Sequence, residues 1–594
     1  MCGIAGLWNF GGGNAEAVAA RMASCLIHRG PDDHGTWASD RGVALGFRRL
    51  SIVDLSPAGA QPMSSASGRY VLVFNGEIYN FQRLRTRVQR DWRGHSDTEV
   101  LLACIEDWGL EKTVRECIGM FAFALWDTRE ETLSLVRDRA GVKPLYYALD
   151  AHGLRFASEL KALDARDIDD EAAALYARCR YVPAPWSIYA GVKKLMPGSI
   201  LTVSRDASTL TKYWDAPAVA EHAAANRFRG DDDEAVRVLD ELLGDSVALR
   251  MIADVPLGVF LSGGVDSSLI AALMQRRASG PIHTFTIGFE DPRFDEARYG
   301  REVAQHLGSH HEELYVTEAD ALALVPRLAG IYDEPFADSS ALPTYLVSQL
   351  ARRTATVALS GDGGDELFAG YHHHFLGRRL QRRVSAVPRF ARGAVGRALR
   401  ALPRIRSLGQ ALVEDDPLAT YRRAMLLADL GSTPAPPLSH VLPHVLPHLD
   451  DPTELTMFLD FATYLPDDIL VKVDRASMAV SLEARTPFLD HRVIEYAWSL
   501  PLSMKIRDDR GKWIARQLLR RYLPDTLVDR EKQGFGLPLA KWLRGPLRDW
   551  AEALLARVEE HPFDRPRVRD LWQRHLRGEN HERELWTVLM YQAF

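Results

Sequence analysis

The chain has 594 residues, of which 46% are hydrophobic and 26% charged, the composition of a globular protein with roughly two to four domains. The net charge of −6 argues against nucleic acid as a partner, and no apolar run has the length of a membrane span. The five cysteines lie in the first third of the chain without a C-x-x-C pair, so neither a disulfide framework nor a zinc site is expected. Since the N-terminus lacks a signal peptide, these features predict a reduced, cytoplasmic protein without a membrane partner.

The first functional candidate is the second residue of the chain, in the run Met1-Cys2-Gly3-Ile4. Removal of Met1 would leave Cys2 with a free α-amine, whose reference pKa is about 7.7–8.0. One residue would then supply both a thiol nucleophile and the base that takes its proton. A small buried cysteine in an edge strand is the alternative, and the position alone does not separate the two hypotheses.

A second candidate is the end of the apolar run that starts at Val71 and reaches Asn75-Gly76-Glu77. The Asn75 side-chain amide and the Gly76 backbone N–H are the pair of donors that an oxyanion hole needs. Further along, Ser96 or Asp97 is placed to cap a helix that continues to Trp108.

Taken in order, Cys2-Gly3-Ile4, His28–Asp32, Arg49–Val53, Asn75-Gly76-Glu77 and Ser96-Asp97 resemble the class II glutamine amidotransferases. The resemblance implies an N-terminal-nucleophile αββα sandwich in which Cys2 attacks the amide carbon of glutamine and ammonia is released. It also implies an oxyanion hole at Asn75 and Gly76, with the guanidinium of Arg49 holding the glutamine carboxylate. The implied glutamine-binding residues are Arg49, Leu50, Ser51, Ile52, Val53, Asn75, Gly76, Glu77 and Asp97.

A second site is indicated by Leu261–Ser268, which joins the apolar run Val255–Leu261 to a predicted helix. A strand, a glycine turn and a helix N-terminus together bind anions, because free N–H groups point at the ligand. Asp266 would repel a bare phosphate, so it is expected to hold Mg²⁺ that carries the phosphate. A Walker A loop is excluded because its lysine is missing. The run instead resembles the S-G-G-x-D-S loop of ATP pyrophosphatases.

Strands that alternate with helices beyond residue 235 predict a parallel α/β sheet whose ligand lies at the carboxyl ends of the strands. One such end is followed by Ser360–Tyr371, which places acidic residues among glycines and suits a metal-phosphate site better than a packed core. Lys512, taken alone, is typical of a surface residue.

Together these motifs make the whole chain, from Cys2 to about Trp542, resemble the glutamine-hydrolysing asparagine synthetases. The resemblance implies that Asp266 and Asp365 hold Mg²⁺, that Lys512 stabilises departing pyrophosphate, and that Asp362 serves the adenylation step. It predicts an amidotransferase domain at 2–205, a linker at 206–234 and a synthetase domain with a helical C-terminal part at 235–594. The implied ATP-binding residues are Leu261, Ser262, Gly263, Gly264, Asp266, Ser267, Ile287, Ser360 and Gly361.

Two departures from the family pattern concern the carboxylate that accepts the nitrogen. Asp362 stands where a well-known bacterial branch has glutamate, and Asp333–Ser340 replaces a run with threonine and arginine. Aspartate remains the expected acceptor, beside glutamine and ATP as the other small-molecule substrates. Another carboxylate, such as a uronic acid of a cell-surface polysaccharide or a peptide, is the nearest alternative. A sugar-phosphate aminating enzyme and a non-catalytic scaffold are further alternatives, and a homodimer is left open.

An aspartate pocket needs an acceptor for the α-amine and a cation for the α-carboxylate. The sequence offers Asp333, Glu334 or Asp338 for the amine, and Arg475 or Lys472 for the carboxylate. A sugar pocket would instead use neutral donors and an aromatic floor, for which it offers Ser339, Ser340 and Tyr371.

Overall fold

The computed structural model describes residues 2–11, 15–289, 295–375, 387–400, 421, 425–427, 430–431, 446–529, 537–558 and 562–594. The chain forms an antiparallel sandwich, then a parallel-sheet α/β domain with a helical C-terminal part, which confirms the predicted fold class. Among the described helices, none combines the length and the apolar character that crossing a membrane requires.

The sandwich is built from two six-stranded antiparallel sheets. The first has the order β10-β8-β9-β1-β3-β2 and the second β12-β11-β7-β6-β5-β4. The strands are β1 (Gly3–Asn9), β2 (Asp33–Ala38), β3 (Val43–Arg49), β4 (Met63–Ser64), β5 (Tyr70–Ile78), β6 (Gly119–Asp127), β7 (Thr132–Arg137), β8 (Tyr146–Asp150), β9 (Gly153–Ala157), β10 (Lys193–Lys194), β11 (Ser199–Val203) and β12 (Ser208–Lys212).

The side chains of β5 alternate between its two faces, and this alternation shows how the sheets and helices of the sandwich pack in layers. Val71 and Val73 lie in the core between the two sheets, whereas Leu72 and Phe74 pack toward the helix Asp97–Trp108. Successive side chains point to opposite faces of a strand, so a strand that is apolar throughout is buried on both faces. On the other sheet the helix Ala15–Ser24 contacts β1 and β3, and this completes the αββα arrangement.

The segment 206–234, for which the sequence predicts a linker, contains two regular elements. β12 is an edge strand whose residues are all exposed, so it lacks the alternation that identifies a half-buried strand. The helix Ala216–Ala225 buries only small residues, and it packs on the helix His491–Ser499 of the following domain. The segment is therefore folded onto both neighbours, and the placement of the domain boundaries stays a prediction.

The parallel sheet has the order β15-β14-β13-β16-β17, with β13 (Leu257–Phe260), β14 (His283–Phe289), β15 (His310–Val316), β16 (Val357–Leu359) and β17 (Glu483–Arg485). From β13 the chain builds outward to β15 on one side, and β16 and β17 lie on the other. The direction of winding therefore reverses between β13 and β16, and a ligand crevice opens beyond the carboxyl ends of these two strands.

Helices cover this sheet and form the C-terminal part. Before and around the sheet they are Asp232–Arg250, Val265–Arg277, Ala297–Leu307, Glu318–Leu324, Leu328–Tyr332, Ala341–Ala351, Gly364–Phe368 and Arg389–Arg400. Later in the chain they are Pro452–Leu459, the π-helix Asp460–Ile469, Leu470–Met478, His491–Ser499, Trp513–Leu519, Asp525–Val528, Leu539–Arg544, Arg548–Leu555, Arg565–Leu576 and Glu582–Ala593.

Buried ion pairs connect the sandwich to the helix Leu470–Met478. Arg29 donates to Asp474 through both terminal nitrogens, at 2.7 and 3.0 Å, and also to Glu159 at 2.7 Å. Arg475 makes a second contact with Glu159 at 3.1 Å. All four side chains are at most 3% exposed, so each charge depends on the others for stabilisation.

Removing one member of this network should destabilise the protein. Because Arg29→Ala removes the cation that hydrogen-bonds both Asp474 and Glu159 and leaves these buried carboxylates under-compensated, we expect the free energy of unfolding to fall by about 3–5 kcal/mol. Urea unfolding followed by tryptophan fluorescence measures the change. The matched control is Arg166→Ala, since Arg166 and its partner Asp164 are 85% and 84% exposed. That control should change stability by less than about 1 kcal/mol, and equal effects of the two variants would contradict the role given to the network.

Candidate active sites

The first site surrounds Cys2, which immediately precedes β1. Its backbone N–H donates to Oδ1 of Asn75 at 3.0 Å, and its Sγ lies 4.0 Å from the carbonyl oxygen of Leu50. Burial raises the pKa of the Cys2 thiol, so the thiolate needs a neighbouring base to form at neutral pH. The structure therefore brings the predicted nucleophile and Asn75 into direct contact.

Asn75 is fully buried, and its Nδ2 makes no hydrogen bond to a described residue. A buried amide donor without a partner is costly, and such donors are typical of places where a ligand oxygen arrives. The neighbouring Gly76 packs tightly on β6, since a Cβ there would lie 2.2 Å from the carbonyl oxygen of Met120. The oxyanion-hole role of Asn75 and Gly76 stays a prediction.

The small cavity beside Cys2 contains most of the predicted glutamine-binding residues. Neither Ser51 nor Asn75 lines it, and the backbone N–H of Ser51 donates to Asp32 at 2.8 Å instead. Arg49 lines the cavity while its terminal nitrogens donate to the backbone carbonyls of Ser56 and Asp54. The lining residues are Cys2, Phe47, Arg49, Leu50, Ile52, Val53, Gly59, Gln61, Phe74, Gly76, Glu77, Ser96, Asp97 and Thr98.

Two carboxyl groups in this cavity have raised pKa values. Burial raises the pKa of Asp97 to about 6, even though Asp97 accepts a hydrogen bond from the Ile78 N–H at 2.8 Å. Burial, together with Glu483 and Asp97, raises the pKa of Glu77 well above its ordinary value. A cationic group that bound here would favour the ionised form of both carboxyls.

The second site is a cavity of about 900 Å³ at the carboxyl ends of β13 and β16. The sequence predicts a ligand at the carboxyl ends of the strands, and the structure adds that this cavity lies where the sheet order reverses. The sequence-predicted residues that line it are Leu261, Ser262, Gly264, Asp266, Ser267, Ile287, Ser360, Gly361, Asp362, Asp365 and Lys512. Gly263 does not line the cavity. Its backbone has a φ of +72°, which glycine adopts readily, and this conformation lets the loop turn into the next helix.

Internal hydrogen bonds hold the loop after β13 in shape. The Ser262 and Ser267 hydroxyl oxygens lie 3.0 Å apart, and the Gly264 N–H donates to the Ser262 oxygen at 3.2 Å. The helix Val265–Arg277 begins at this point, with its first N–H groups at the cavity. The loop therefore has the strand, turn and helix N-terminus of an anion site.

Lys512 lies far along the chain from the loop after β13, yet it lines this cavity. It is buried, whereas the residue taken alone is typical of a surface position. Its ammonium contacts Asp266, and it lies 2.7 Å from Oδ1 of Asp365. Although burial lowers the pKa of Lys512, these two carboxylates outweigh burial and raise it. The two predicted metal-binding carboxylates and the predicted pyrophosphate-binding lysine thus converge on one point.

Asp362 and Glu366 are buried carboxyl groups in the same cavity. Asp362 accepts a hydrogen bond from the Ser360 hydroxyl at 2.7 Å, and burial raises its pKa. Glu366 accepts from the Tyr371 hydroxyl at 2.7 Å, and burial with the nearby Asp365 raises its pKa to about 8. A proton on Glu366 at neutral pH limits the negative charge of this wall.

The residues proposed for the acceptor divide into two groups. Asp338 and Lys472 line the cavity, where Lys472 Nζ donates to Asp338 at 2.8 Å and to the Ser340 hydroxyl at 2.9 Å. The assignment of Asp333 and Glu334 to this pocket is wrong, because they pair with Lys161 at 2.9 Å and Lys194 at 2.6 Å, at the contact with the sandwich.

The assignment of Arg475 is wrong for the same reason, since its guanidinium lies in the buried network with Glu159. Ser339, Ser340 and Tyr371, the residues of the sugar alternative, do line the cavity. Sequence reasoning missed Arg583, a cavity residue on the C-terminal helix Glu582–Ala593. No motif marks Arg583, because only the tertiary fold brings that helix to the sheet.

Comparisons with known proteins show which families the two parts of the chain match. A sequence profile of asparagine synthase matches residues 238–594, and a profile of a glutamine amidotransferase domain matches residues 1–214. The chain is 36% identical to a putative glutamine-hydrolyzing asparagine synthetase of Mycobacterium tuberculosis, covering 100% of this chain and 97% of that protein. It is 31% identical to asparagine synthetase (glutamine-hydrolyzing) 1 of Bacillus subtilis, covering 100% and 96%. It is 28% identical to Amidase chry2 of Gibberella zeae, covering 94% and 92%.

Proposed function

Since the chain belongs to the asparagine synthase family and carries a glutamine amidotransferase domain, we propose that it is a glutamine-dependent asparagine synthetase. It hydrolyses glutamine, converts aspartate to an acyl-adenylate with ATP, and joins the released ammonia to it. The products are asparagine, glutamate, AMP and pyrophosphate. The observation that carries the proposal is the presence of both sites in one chain: a cysteine beside an unpartnered amide donor, and a serine-glycine anion loop beside Asp266 and Lys512.

In the first half-reaction the thiol of Cys2 attacks the amide carbon of glutamine. Once Met1 has been removed, the α-amine of Cys2 accepts the thiol proton and later donates it to the leaving ammonia. Asn75 Nδ2 and the Gly76 N–H stabilise the oxyanion. Glu77 and Asp97 face the α-ammonium of glutamine, whose charge favours their ionised forms.

In the second half-reaction a carboxylate oxygen attacks the α-phosphorus of ATP, and pyrophosphate leaves. The loop after β13 presents N–H groups and the hydroxyls of Ser262 and Ser267 to the phosphates. Lys512 neutralises charge on the departing pyrophosphate, since it is buried and cationic. Ammonia then attacks the acyl carbon, and AMP leaves.

Family membership implies the use of ATP, and the donor set at this site fits Mg²⁺. Asp266 and Asp365 supply carboxylate oxygens, the ligands that Mg²⁺ prefers, and they already converge on one cation, the Lys512 ammonium. When bound, Mg²⁺ would offset the negative charge of the phosphates.

Ammonia moves between the sites inside the protein, where solvent cannot protonate it. Supporting this is the buried network between the sites, in which Arg29 contacts both the backbone oxygen of Cys2 at 3.1 Å and Asp474 at 2.7 Å. The helix that carries Asp474 also carries Lys472, which lines the second cavity. The glutamine site and the acceptor wall are therefore connected through one rigid element.

For the acceptor, Asp338 is the carboxylate that fits the α-ammonium of aspartate and Arg583 is the cation that fits its α-carboxylate. Lys472 is already bound to Asp338 and Ser340, whereas the guanidinium of Arg583 makes no ion pair within the described residues. Another carboxylate acceptor remains the second candidate, because Asp362 and the run at Asp338 depart from the family pattern. The cytoplasmic location stays a prediction.

The two half-reactions should be separable by mutation. Cys2→Ala should abolish glutamine-dependent synthesis and spare synthesis from ammonium, because it removes only the nucleophile. Asp266→Asn should show the reverse pattern, with glutamine hydrolysis retained and synthesis from either nitrogen source reduced at least ~10²-fold. Glutamate and pyrophosphate release measure the two halves. A Cys2→Ala enzyme that still hydrolyses glutamine would show that another residue is the nucleophile.

Glutamine binding should weaken in acid because of Asp97. Its pKa of about 6 lies above the ordinary value, so it is ionised above about pH 6 and becomes neutral as the pH falls through that value. In Cys2→Ala, which cannot turn glutamine over, we expect the Kd for glutamine to rise up to about tenfold per pH unit below pH 6. Calorimetry between pH 5 and 8 measures this change. A Kd that is constant down to pH 5 would remove Asp97 from the ammonium site.

With ammonium as the nitrogen source, saturating aspartate should elicit ATP-dependent pyrophosphate release. Arg583→Ala should raise the KM for aspartate by about 10–100-fold with less effect on the KM for ATP, because a charge-assisted hydrogen bond contributes roughly 1.5–3 kcal/mol. Arg567→Ala, on an exposed part of the neighbouring helix, is the control. If active enzyme releases no pyrophosphate with aspartate but does so with a uronic acid or a peptide carboxylate, the alternative acceptor is correct.

A further inference from the structure

Three side chains outside the proposed reaction converge beside the second cavity. His373 and His374 both direct Nε2 at Oδ2 of Asp460, at 2.6 and 2.7 Å. His374 and Asp460 have no exposed surface, and His373 is 17% exposed. Among the described residues, this is the group of histidine and carboxylate side chains whose ligand atoms all lie within 4.8 Å of one another.

Hydrogen bonding alone leaves this cluster incompletely satisfied. Both imidazoles use one carboxylate oxygen, and the other oxygen, Oδ1 of Asp460, is buried without a hydrogen bond to a described residue. The hydroxyl of Tyr421 is hydrogen-bonded to Thr463 at 2.9 Å and also interacts with the Asp460 side chain. Buried polar atoms without partners are uncommon and call for a physical explanation, such as a bound ion.

The electrostatic surroundings favour a cation at this point. The Asp365 carboxylate, which lines the cavity, lies close enough to His374 to favour its cationic form. Among the described residues, Lys512 is not available to this cluster, since it is held by Asp266 and Asp365.

We propose that His373, His374 and Asp460 bind one divalent transition-metal ion, for which zinc fits the donors best. Two neutral imidazoles and a carboxylate are zinc ligands, whereas Mg²⁺ and Ca²⁺ prefer oxygen alone. A water molecule or the Tyr421 hydroxyl completes the four ligands. Bonds of ~2.0–2.2 Å place tetrahedral ligands about 3.3 Å apart, so the imidazoles must move from Asp460 by roughly 0.6 Å. The cysteine count, which argues against a thiolate site, does not bear on these ligands.

The ion would have a structural role: it would stabilise the wall of the second cavity and take no part in the glutamine site. Asp460 begins the π-helix Asp460–Ile469, a rare conformation that needs tertiary support. The helix Leu470–Met478, with Lys472, follows it directly. On the histidine side of the cluster, the ring of His373 stacks on the ring of Tyr371, with the ring centroids 5.3 Å apart. Tyr371 lines the cavity. The metal thus joins two segments that form the acceptor wall.

The test uses the full-length enzyme without a histidine tag. Elemental analysis should find about one zinc per chain, and replacement by Co²⁺ should give the visible absorption of a tetrahedral cobalt site. His374→Ala and Asp460→Asn should lose the metal and the cobalt spectrum, while the control His372→Ala, whose side chain is exposed, should retain both. Metal-depleted wild-type enzyme should lose at least ~10-fold in ammonium-dependent synthesis, should recover it when zinc is restored, and should keep its glutamine hydrolysis.

Wild-type enzyme that contains no metal and takes up neither Zn²⁺ nor Co²⁺ overturns the proposal, and the cluster is then a hydrogen-bonded triad. Metal that remains in His374→Ala also overturns it, because the ion then lies elsewhere. Since the cobalt spectrum is measured on the wild-type chain, the test does not depend on whether the variants fold. It does not depend on the acceptor either, so it can fail while the proposed function holds.

Discussion

The buried ion network around the helix Leu470–Met478 is the constraint on which the arrangement of the two sites depends. Arg29 bridges Asp474 and Glu159, and Arg475 contacts the same glutamate. Buried charges are tolerated only when each is paired and hydrogen-bonded. The sandwich and the parallel-sheet domain therefore cannot separate without exposing these charges to solvent or leaving them without their partners. The network is therefore better understood as fixing geometry than as adding net stability.

A second buried contact fixes the same geometry from the edge of the parallel sheet. Arg485 on β17 donates to Glu483 at 2.6 Å and lies 3.4 Å from Glu77 in the glutamine cavity. Nη1 of Arg485 donates to the backbone carbonyls of Arg250 and Ile252 at 2.8 and 2.7 Å. A strand of the parallel sheet thus lies against Glu77, and this placement helps to explain why Glu77 is buried among carboxylates.

The parts that sequence predicted well are those whose chemistry is local. The loop after β13 and the run after β16 are strand–turn–helix units, so adjacent residues in sequence are also adjacent in the cavity. The predictions that were wrong concern residues whose contacts are distant in sequence. Asp333, Glu334 and Arg475 have the charges that an aspartate pocket needs, but partners more than a hundred residues away hold them at the interface. Arg583 reaches the cavity only through tertiary packing, which leaves no trace in a motif.

Asp362 shows how the chemistry of the second cavity can tolerate a shortened side chain. The Ser360 hydroxyl donates to Asp362 at 2.7 Å and holds the carboxyl group close to the end of β16. Aspartate extends one methylene less than glutamate, so a carboxyl group anchored there cannot follow the substrate by changing rotamer. Burial raises its pKa, which makes it a better proton acceptor than an exposed aspartate. In the proposed reaction, a proton transfer that glutamate would make directly would need a small shift or one bridging water molecule, and the raised pKa and fixed orientation of Asp362 would offset its shorter reach.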